Sequence, residues 1–450
     1  MRETMSGDIE KNNNARKASV GQEKEQKKED PHGGSDHPTS YLETLMHMFK
    51  GNVGAGLFAM GDAFKNGGIV VSPILTIILA VICVHCEHIL VKSSRKAQEL
   101  CKTIQTFDYA ETVLKTFENG PKRFQCVANA MYTIVQVLVC ITQMGFCCIY
   151  FVFITENLEQ LFHHYGLNWD SSVIMALMLL PIIIPSLITN LKYLAPVSML
   201  ANICLSIGLV VTMVCAFKDG LPSPSERHYY TNGSQMALYF GTVLFSFEGI
   251  ALVLPLRNSM KKPEKFSGPL GVLNVGMAVI AFLFTFTGFF GYLKWGEEVA
   301  GSLTLNVPID TWYGQLVKIS ASLGVFFGYP LQFYVPVKIM WPGVKKVFKV
   351  QKHPLIGEII FRACLVVCTF GIAEAVPKLG LFISLIGSLC STALALIIPS
   401  LLELIMKSDT PKGPGKSIFI KNSLIILLGF LGTVTGTYQS FSDIIAEFFS

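Results

Sequence analysis

Eleven long apolar segments constrain the fold of this chain more than any other feature. Each is long enough to cross the hydrocarbon core of a bilayer, which is about 30 Å thick. They lie at 41–65, 68–92, 126–155, 172–190, 193–217, 234–256, 268–293, 314–341, 356–376, 379–403 and 421–446. Only 15% of the 450 residues are charged, whereas an ordinary soluble domain carries about 25%. The sequence therefore predicts an all-α polytopic membrane protein with eleven transmembrane helices.

The distribution of positive charge indicates the orientation of these helices. Residues 1–40 are polar and rich in Lys, Glu and Asn, which predicts a disordered cytoplasmic tail. With that tail inside, 29 of the 36 Lys and Arg residues fall on the cytoplasmic side, as the positive-inside rule requires. Eleven crossings then place the C-terminus on the other side, in the extracellular space or in a lumen.

Three glycines interrupt the first apolar segment. Gly51, Gly54 and Gly56 stand within six residues, and each costs about 1 kcal/mol against alanine in a helix interior. A helix that unwinds at membrane depth must be covered by protein or line a watered cavity, so such a break is a candidate binding site. The alternative is a continuous helix that packs closely through its small residues.

The chain also divides into two similar halves. Segments one to five (41–217) and segments six to ten (234–404) have nearly equal lengths, and 421–446 is an extra helix. Because five is an odd number, the second half enters the membrane from the opposite side. The sequence therefore predicts a five-plus-five inverted repeat.

A second interruption lies at the corresponding place in the second half. The stretch from Phe245 to Ile250 contains an acid and a glycine, and its offset within its half matches that of the glycine cluster. Matched interruptions in two halves are the best sequence indication of a transporter's midplane site. We therefore expect helix breaks near 51–56 and 246–250.

The residues around both predicted breaks form the candidate substrate site, together with two polar residues of segment eight. The full set is Gly51, Asn52, Val53, Gly54, Ala55, Gly56, Phe245, Ser246, Phe247, Glu248, Gly249, Tyr329 and Gln332. Plain packing is an equally good account of Tyr329 and Gln332.

Two titratable residues are candidates for carrying a coupling proton. His47 precedes the first break by one helical turn, and histidine titrates near pH 6.5. Glu248 is an acid inside a span, where a charge costs about 2.5–3.5 kcal/mol, so it must face a cavity, be paired or be protonated. A hydrogen-bonded packing histidine and a structural acid that binds unwound backbone amides are the alternatives.

Several other sequence features limit the functions that the chain can have. His85, Glu87 and His88 crowd the end of segment two, and a wet helix end is a simpler account of them than a metal site. The twelve cysteines are expected to be free thiols. Phe107 to Phe117 predicts a short amphipathic helix in the cytoplasmic loop, and Asn232 is the acceptor of the one glycosylation sequon. No nucleophile–base constellation is visible, so we do not expect an enzyme, a metal, an organic cofactor or a nucleic-acid partner.

Six segments of the chain resemble the proton-coupled amino acid transporters of the amino acid/auxin permease superfamily. They are HMFKGNVGAG at 47–56, KNGGI at 65–69, ITQMGFCCIYFVF at 141–153, LFSFEGIALVLPL at 244–256, LQFYVP at 331–336 and LIGSLCSTALALIIP at 385–399. The resemblance implies a fold like that of the bacterial leucine transporter. It implies symport of small neutral amino acids with protons at the plasma or lysosomal membrane. It also implies that His47 is the proton histidine and that Gly51 to Gly56 bind the substrate.

The resemblance leaves two other functions open. One is an uncoupled facilitator or exchanger, and the other is an amino acid sensor with little flux, since some relatives have growth-signalling partners at the cytoplasmic side. The chain also departs from the family's usual pattern. Met60-Gly61-Asp62 replaces the common Leu-Pro-Leu, and Arg257 stands where an acid is common.

Overall fold

The computed structural model describes residues 38–449 except 190, 219, 349–353, 376–377 and 409–412. Most of the predicted tail, 1–37, therefore lies outside the described residues. The α-helices, in chain order, are α1 (Tyr41–Asn52), α2 (Ala55–Gly67), α3 (Val71–Cys101), α4 (Tyr109–Glu118), α5 (Lys122–Gln125), α6 (Ala128–His164), α7 (Ser171–Ser186), α8 (Leu191–Lys218), α9 (Gly233–Ser246), α10 (Ile250–Ser259), α11 (Val272–Trp295), α12 (Trp312–Val347), α13 (Pro354–Glu374), α14 (Leu379–Ile386), α15 (Ile398–Ser408) and α16 (Lys416–Phe448).

Nine helical segments in the described part of the chain are long and apolar enough to cross a membrane. This protein is therefore an integral membrane protein. The first predicted span is divided into α1 and α2, and the fourth forms α7, an apolar helix of 16 residues that contains Pro181 and Pro185. The total of eleven crossings stays a prediction.

Backbone pairing joins the start of α1 to the end of α10. The Thr39 amide donates to the Ser259 carbonyl at 2.7 Å, and the Lys261 amide donates to the Thr39 carbonyl at 2.9 Å. Ser40 and Glu43 then form a capping box, in which each side chain accepts the other residue's amide hydrogen. A cap of this kind contributes about 1 kcal/mol to helix stability. The start of the first span is therefore fixed to the second half of the chain.

The divided helices lie in the middle of the bundle. α2 packs against α9 and α11, and α9 also contacts α14 and α16, while α12 packs against α6 and α8. Phe58, Phe245 and Phe247 fill this centre and are at most 1% exposed. Because lipid is as apolar as these rings, close packing rather than expulsion of water favours helix association here.

The tenth span changes its winding where it crosses α9. α14 leads into two π-helical turns, Gly387–Ser391 and Ala393–Ile397, before α15 begins. Gly387 lies against the carbonyl oxygen of Gly241, and a Cβ atom at Gly387 would also lie 2.9 Å from the Cβ atom of Phe245. π turns occur frequently at functional sites, and these lie beside the end of α9.

The amphipathic helix predicted in the cytoplasmic loop is α4. Asp108 and Glu111 form its capping box, with hydrogen bonds of 2.8 and 3.0 Å. Val113 and Phe117 are buried, and the Tyr109 hydroxyl donates to the Leu394 carbonyl at 2.7 Å. The prediction is confirmed, and α4 is attached to the second π turn.

The end of the second span differs from the expectation. α3 continues to Cys101, nine residues beyond the predicted boundary at 92, so His85, Glu87 and His88 do not form a wet helix end. Glu87 is 2% exposed. The two histidines point to different partners, since His85 Nε2 lies 2.7 Å from Lys421 Nζ and His88 Nε2 lies 2.7 Å from Asn274 Oδ1.

Two arginines, Arg95 and Arg257, lie near the predicted cytoplasmic ends of α3 and α10. Arg257 is 9% exposed, and its charge interacts with that of Arg95. The Nε atoms of both residues are buried without a hydrogen-bond partner. No ion pair joins either arginine to an acid within the described residues. The two guanidinium groups therefore repel each other.

We expect Arg257→Glu to raise the stability of the folded protein. A carboxylate in place of one guanidinium converts the repulsion into an attraction between opposite charges, worth on the order of 1 kcal/mol. Thermal unfolding of the purified protein in detergent measures the change. Arg257→Gln is the matched control because it removes the repulsion without adding the pair. An Arg257→Glu protein less stable than Arg257→Gln would contradict this account.

Candidate substrate site

The first break separates α1 from α2. α1 ends at Asn52 and α2 begins at Ala55, which leaves Val53 and Gly54 outside regular helix. The last carbonyls of α1 and the first amides of α2 have no partners within their own helices. The break therefore presents hydrogen-bond acceptors and donors at the centre of the bundle. Its position confirms the prediction of a break within 51–56.

The second break separates α9 from α10. α9 ends at Ser246 and α10 begins at Ile250, with Phe247 to Gly249 between them. Only local turns remain there, in which the Glu248 amide donates to the Phe245 carbonyl at 3.2 Å. This break also lies where the sequence predicts it, within 246–250.

The two breaks touch each other at two points. The Ser246 hydroxyl donates to the Gly56 carbonyl at 3.1 Å and to the Thr242 carbonyl at 2.8 Å. A Cβ atom at Gly56 would lie 3.0 Å from the Cα atom of Ser246. At the second point, a Cβ atom at Gly249 would lie 2.5 Å from Oδ1 of Asn52. Glycine at 56 and 249 therefore permits the close approach of the two breaks.

A small cavity of about 20 Å³ lies between the breaks. Its lining residues are Lys50, Gly51, Asn52, Val53, Gly54, Ala55, Gly56, Phe146, Tyr150, Phe245, Ser246, Glu248 and Gln332. A volume of this size holds about one water molecule. The structure is therefore closed around the centre, and a larger ligand requires the breaks to separate.

Most of the predicted site residues line this cavity, but four do not. Phe247 packs against Phe284, with 5.1 Å between ring centroids, and Gly249 contacts Asn52. The Tyr329 hydroxyl is buried and lies 2.8 Å from the Thr369 hydroxyl. His47 is exposed on α1, outside the cavity lining. Packing is therefore the simpler account of Tyr329.

Three lining residues were not predicted from the sequence. Phe146 and Tyr150 come from α6, and Lys50 comes from the last turn of α1. The Phe146 ring lies 4.5 Å from the Phe245 ring, centroid to centroid, and the Tyr150 hydroxyl lies beside the Gln332 amide. The segment 141–153 was recognised only by its family resemblance, because an apolar helix buried on most sides shows no inward-facing stripe.

Glu248 lies in the wall of the cavity without a partner. It is 5% exposed, and both of its carboxylate oxygens are buried and make no hydrogen bond. The Ser391 hydroxyl of the first π turn lies beside it but outside hydrogen-bonding geometry. A buried carboxylate without partners favours its neutral, protonated form.

A larger polar cavity of about 500 Å³ lies on the predicted outer side of the site. Asp62 and Lys65 form an ion pair of 3.0 Å in its wall, and Lys65 Nζ donates to the Val299 carbonyl at 2.7 Å. Glu156 accepts from the Leu379 amide at 3.3 Å. We call this cavity the outer vestibule. Its volume and polarity suit a watered entrance, which the central cavity cannot be.

The glycosylation sequon lies on the same predicted outer side. Asn232 is exposed, and its side-chain oxygen accepts from the Gln235 amide at 2.9 Å as the cap of α9. Modification of Asn232 stays a prediction.

The sequence of the chain matches the family described as transmembrane amino acid transporter protein over residues 37–442. The chain belongs to this family. It is the amino acid/auxin permease family that the sequence motifs indicate. One relative, proton-coupled amino acid transporter-like protein pathetic of Drosophila melanogaster, is 36% identical over 92% of this chain and 87% of its own length. Another, probable amino acid transporter skat-1 of Caenorhabditis elegans, is 28% identical over 91% of each chain.

Solved structures of low sequence identity share the fold. The closed conformation of Mhp1, a nucleobase-cation-symport-1 family transporter with bromovinylhydantoin bound, has a TM-score of 0.51 and 14% identity over 93% of this chain and 96% of that chain. MhsT in complex with L-phenylalanine has a TM-score of 0.48 and 13% identity over 89% of this chain and 100% of that chain. The likeness to Mhp1 confirms the predicted leucine-transporter-like fold.

Proposed function

We propose that this protein moves small neutral amino acids across a membrane together with protons. The observation that carries the proposal is the pair of facing helix breaks at the centre of a transmembrane amino acid transporter family member. The Drosophila melanogaster relative is named as a proton-coupled amino acid transporter-like protein, and this name supports the same function.

The chemistry of the two breaks suits an amino acid zwitterion. The first amides of α2 and the positive end of its helix dipole favour the substrate carboxylate. The last carbonyls of α9 and the negative end of its dipole favour the ammonium group. Ser246 and Gly56 bring these two helix ends into contact, so both charges of one small molecule can be bound there.

The size of the site favours glycine, alanine and proline over larger substrates. Gly54, Ala55 and Gly56 leave little lateral room, and the rings of Phe146 and Phe245 close the cavity. Opening to the outer vestibule requires these rings and the Ser246–Gly56 hydrogen bond to separate. Substrate binding between the breaks would then alternate with closure, as expected for midplane sites of broken helices.

The proton is the proposed coupling ion, and two residues are candidates for carrying it. The sequence favours His47 over Glu248 as the residue that carries the proton. The positions of the two side chains support the opposite order, because Glu248 lines the central cavity while His47 is exposed outside it. A group that exchanges its proton during closure must lie where closure changes its contact with water.

We expect His47→Ala to keep acid-stimulated transport. Because His47 does not line the cavity that closes, we expect its loss to change the transport rate by about twofold at most, which corresponds to about 0.4 kcal/mol. Uptake of labelled alanine at about pH 5.5 and about pH 7.5 measures this, across the range in which histidine titrates. If His47→Ala removes the pH dependence and leaves uptake intact, His47 carries the proton instead.

Proteoliposomes that contain only the purified protein test the proposed function. A panel of labelled glycine, alanine, proline, phenylalanine and lysine is offered from outside at about pH 5.5 and about pH 7.5, with the inside at about pH 7.5. We expect the three small neutral substrates to accumulate under the proton gradient and to carry inward current. A protonophore should abolish the accumulation. Equal uptake at both pH values would indicate an uncoupled facilitator, and binding without uptake would indicate a sensor.

We further propose that the protein resides in the plasma membrane or the lysosomal membrane. Its N-terminus faces the cytoplasm in either case, because most of the Lys and Arg residues flank the same side of the helices. Growth-signalling partners would bind the tail on that side. Accessibility of a tag at each terminus in intact cells measures the orientation, and a cytoplasmic C-terminus would contradict it.

A further inference from the structure

Lys50 places a positive charge in the wall of the central cavity, and the proposed function does not yet use it. The residue lies in the last turn of α1, just before the first break, and it lines the cavity together with Glu248. Its side chain is half-buried. Among the described residues, no ion pair joins Lys50 to an acid. The cavity wall therefore contains an ammonium group without a carboxylate as its partner.

The other side chains of the cavity lining do not compensate this charge in the closed structure. Both carboxylate oxygens of Glu248 are buried without hydrogen bonds, which favours the neutral form of that residue. The Tyr150 phenol is neutral below about pH 10, and Gln332 carries no charge. His47 is exposed on α1, outside the lining. The lining of the closed cavity therefore has a net positive charge, which comes from Lys50.

The helix ends at the two breaks leave this balance unchanged. α1 and α9 end at the breaks with the negative ends of their dipoles, and α2 and α10 begin there with the positive ends. Each end is equivalent to about half an elementary charge, so the two negative and the two positive ends cancel. The negative end of α1 also stabilises an ammonium in its own last turn. Lys50 is therefore tolerated at this position while its charge stays uncompensated by an acid.

We propose that Lys50 selects the charge class of the substrate by excluding amino acids with a net positive charge. This inference rests on the proposed function and names the residue that sets its preference for neutral substrates. A zwitterion adds no net charge to the closed cavity, whereas a cationic amino acid brings a second positive charge close to Lys50. Like charges repel strongly where water is excluded, and the closed cavity has room for about one water molecule. A cation is therefore rejected even when it is as small as a neutral substrate.

Two competitors of equal size separate the effect of charge from that of size. Serine and β-aminoalanine are both alanine with one added side-chain group, a hydroxyl or an amine, and both amines of β-aminoalanine are protonated at about pH 5.5. Each compound is offered to proteoliposomes as an inhibitor of labelled alanine uptake. For the wild type, half-inhibition should require at least about tenfold more β-aminoalanine than serine, as about 1.4 kcal/mol of repulsion predicts. For Lys50→Gln, the two concentrations should agree within about threefold.

Matched variants separate this role from a general effect of charge. Lys50→Arg keeps a positive charge at the same position and should keep the difference between the two competitors. Lys92→Gln removes a lysine that is exposed on α3 outside the cavity lining, so it should keep the difference as well. Because the comparison is a ratio within each variant, a lower uptake rate does not affect it. If Lys50→Gln takes up no alanine, thermal stabilisation of the purified variant by each competitor gives the same ratio, since a ligand of the folded state stabilises it.

The outcomes for Lys50 and for the proposed function differ. If Lys50→Gln keeps the preference for serine, or if the wild type has no such preference, the role of Lys50 is wrong and transport of neutral amino acids stands. Loss of the preference in Lys92→Gln would also overturn this role, because the effect would then come from the field of the whole protein. If the wild type takes up no alanine, the proposed function fails, and the thermal comparison of the wild type with Lys50→Gln still decides the role of Lys50.

Discussion

Replacing Gly56 by leucine should abolish amino acid binding and transport while the protein still reaches the membrane. Even the first side-chain atom meets backbone, since a Cβ atom at Gly56 would lie 3.0 Å from the Cα atom of Ser246. A leucine would separate the two breaks and cover the amides of α2 that are proposed to bind the carboxylate. Overpacking of this kind costs about 1–3 kcal/mol or more. We expect uptake of labelled alanine to fall at least about tenfold, the change that 1.4 kcal/mol produces.

Gly54→Ala is the matched control for this prediction. The nearest atom to a Cβ at Gly54 is the Tyr150 hydroxyl oxygen at 3.5 Å, an ordinary contact. The φ of Gly54 is −157°, which is outside the left-handed region in which a side chain would be strained. Gly54→Ala should therefore keep measurable uptake, whereas Gly54→Leu should lose it because the cavity has room for about one water only. Normal uptake by surface-expressed Gly56→Leu would refute this account of the site.

Replacing Gly387 by valine should have the largest effect on the fold. Gly387 sits in the first π turn against the carbonyl oxygen of Gly241, and α9 and the tenth span approach each other there without side chains. Small residues at such crossings allow close packing of membrane helices. A branched side chain would push α9 away, and we expect a loss of about 3 kcal/mol, at the upper end for overpacking.

Thermal unfolding in detergent and the yield of monodisperse protein measure the effect of Gly387→Val. Gly371→Val is the control, because Gly371 is exposed on α13 and a Cβ atom there would have no neighbour within 4 Å. Both substitutions replace glycine by valine within a helix and share the same helical propensity cost. The difference in stability between the two variants therefore measures the effect of the side chain at the crossing of α9 and the tenth span. Equal stability of the two variants would show that the contact with Gly241 is not tight.

The sequence predicts the two breaks well because both depend on local chemistry. Glycines at 51, 54 and 56 weaken a helix wherever it packs, and the acid and glycine within Phe245 to Ile250 mark the second position, which the matched offset supports. The start of α4 is similarly local, since Asp108 and Glu111 form a capping box from residues three apart. Such features can be derived without knowing which helices become neighbours.

The residues that the sequence does not reveal depend on neighbours that are distant along the chain. Tyr150 enters the site because α6 passes beside both breaks, and α6 is too apolar to show which face turns inward. Glu87 stands between two histidines, in a sequence that resembles a wet helix end. Its burial follows from the extension of α3 to Cys101 and from the packing of α10 against it. Tyr329 is the opposite case, because this polar side chain beside a proline suits either the site or packing by its sequence, and its hydroxyl lies beside that of Thr369.

Counterflow in proteoliposomes tests the central claim most directly. Vesicles are loaded with unlabelled alanine, the pH is equal on both sides, and entry of a trace of labelled alanine is followed with the wild type and with Gly56→Leu. If the protein is a carrier whose site lies between the breaks, vesicles with the wild type will rapidly and transiently accumulate labelled alanine. Vesicles with Gly56→Leu will accumulate none. The account is contradicted if the purified wild type binds alanine without exchanging it, or if Gly56→Leu exchanges alanine at the rate of the wild type.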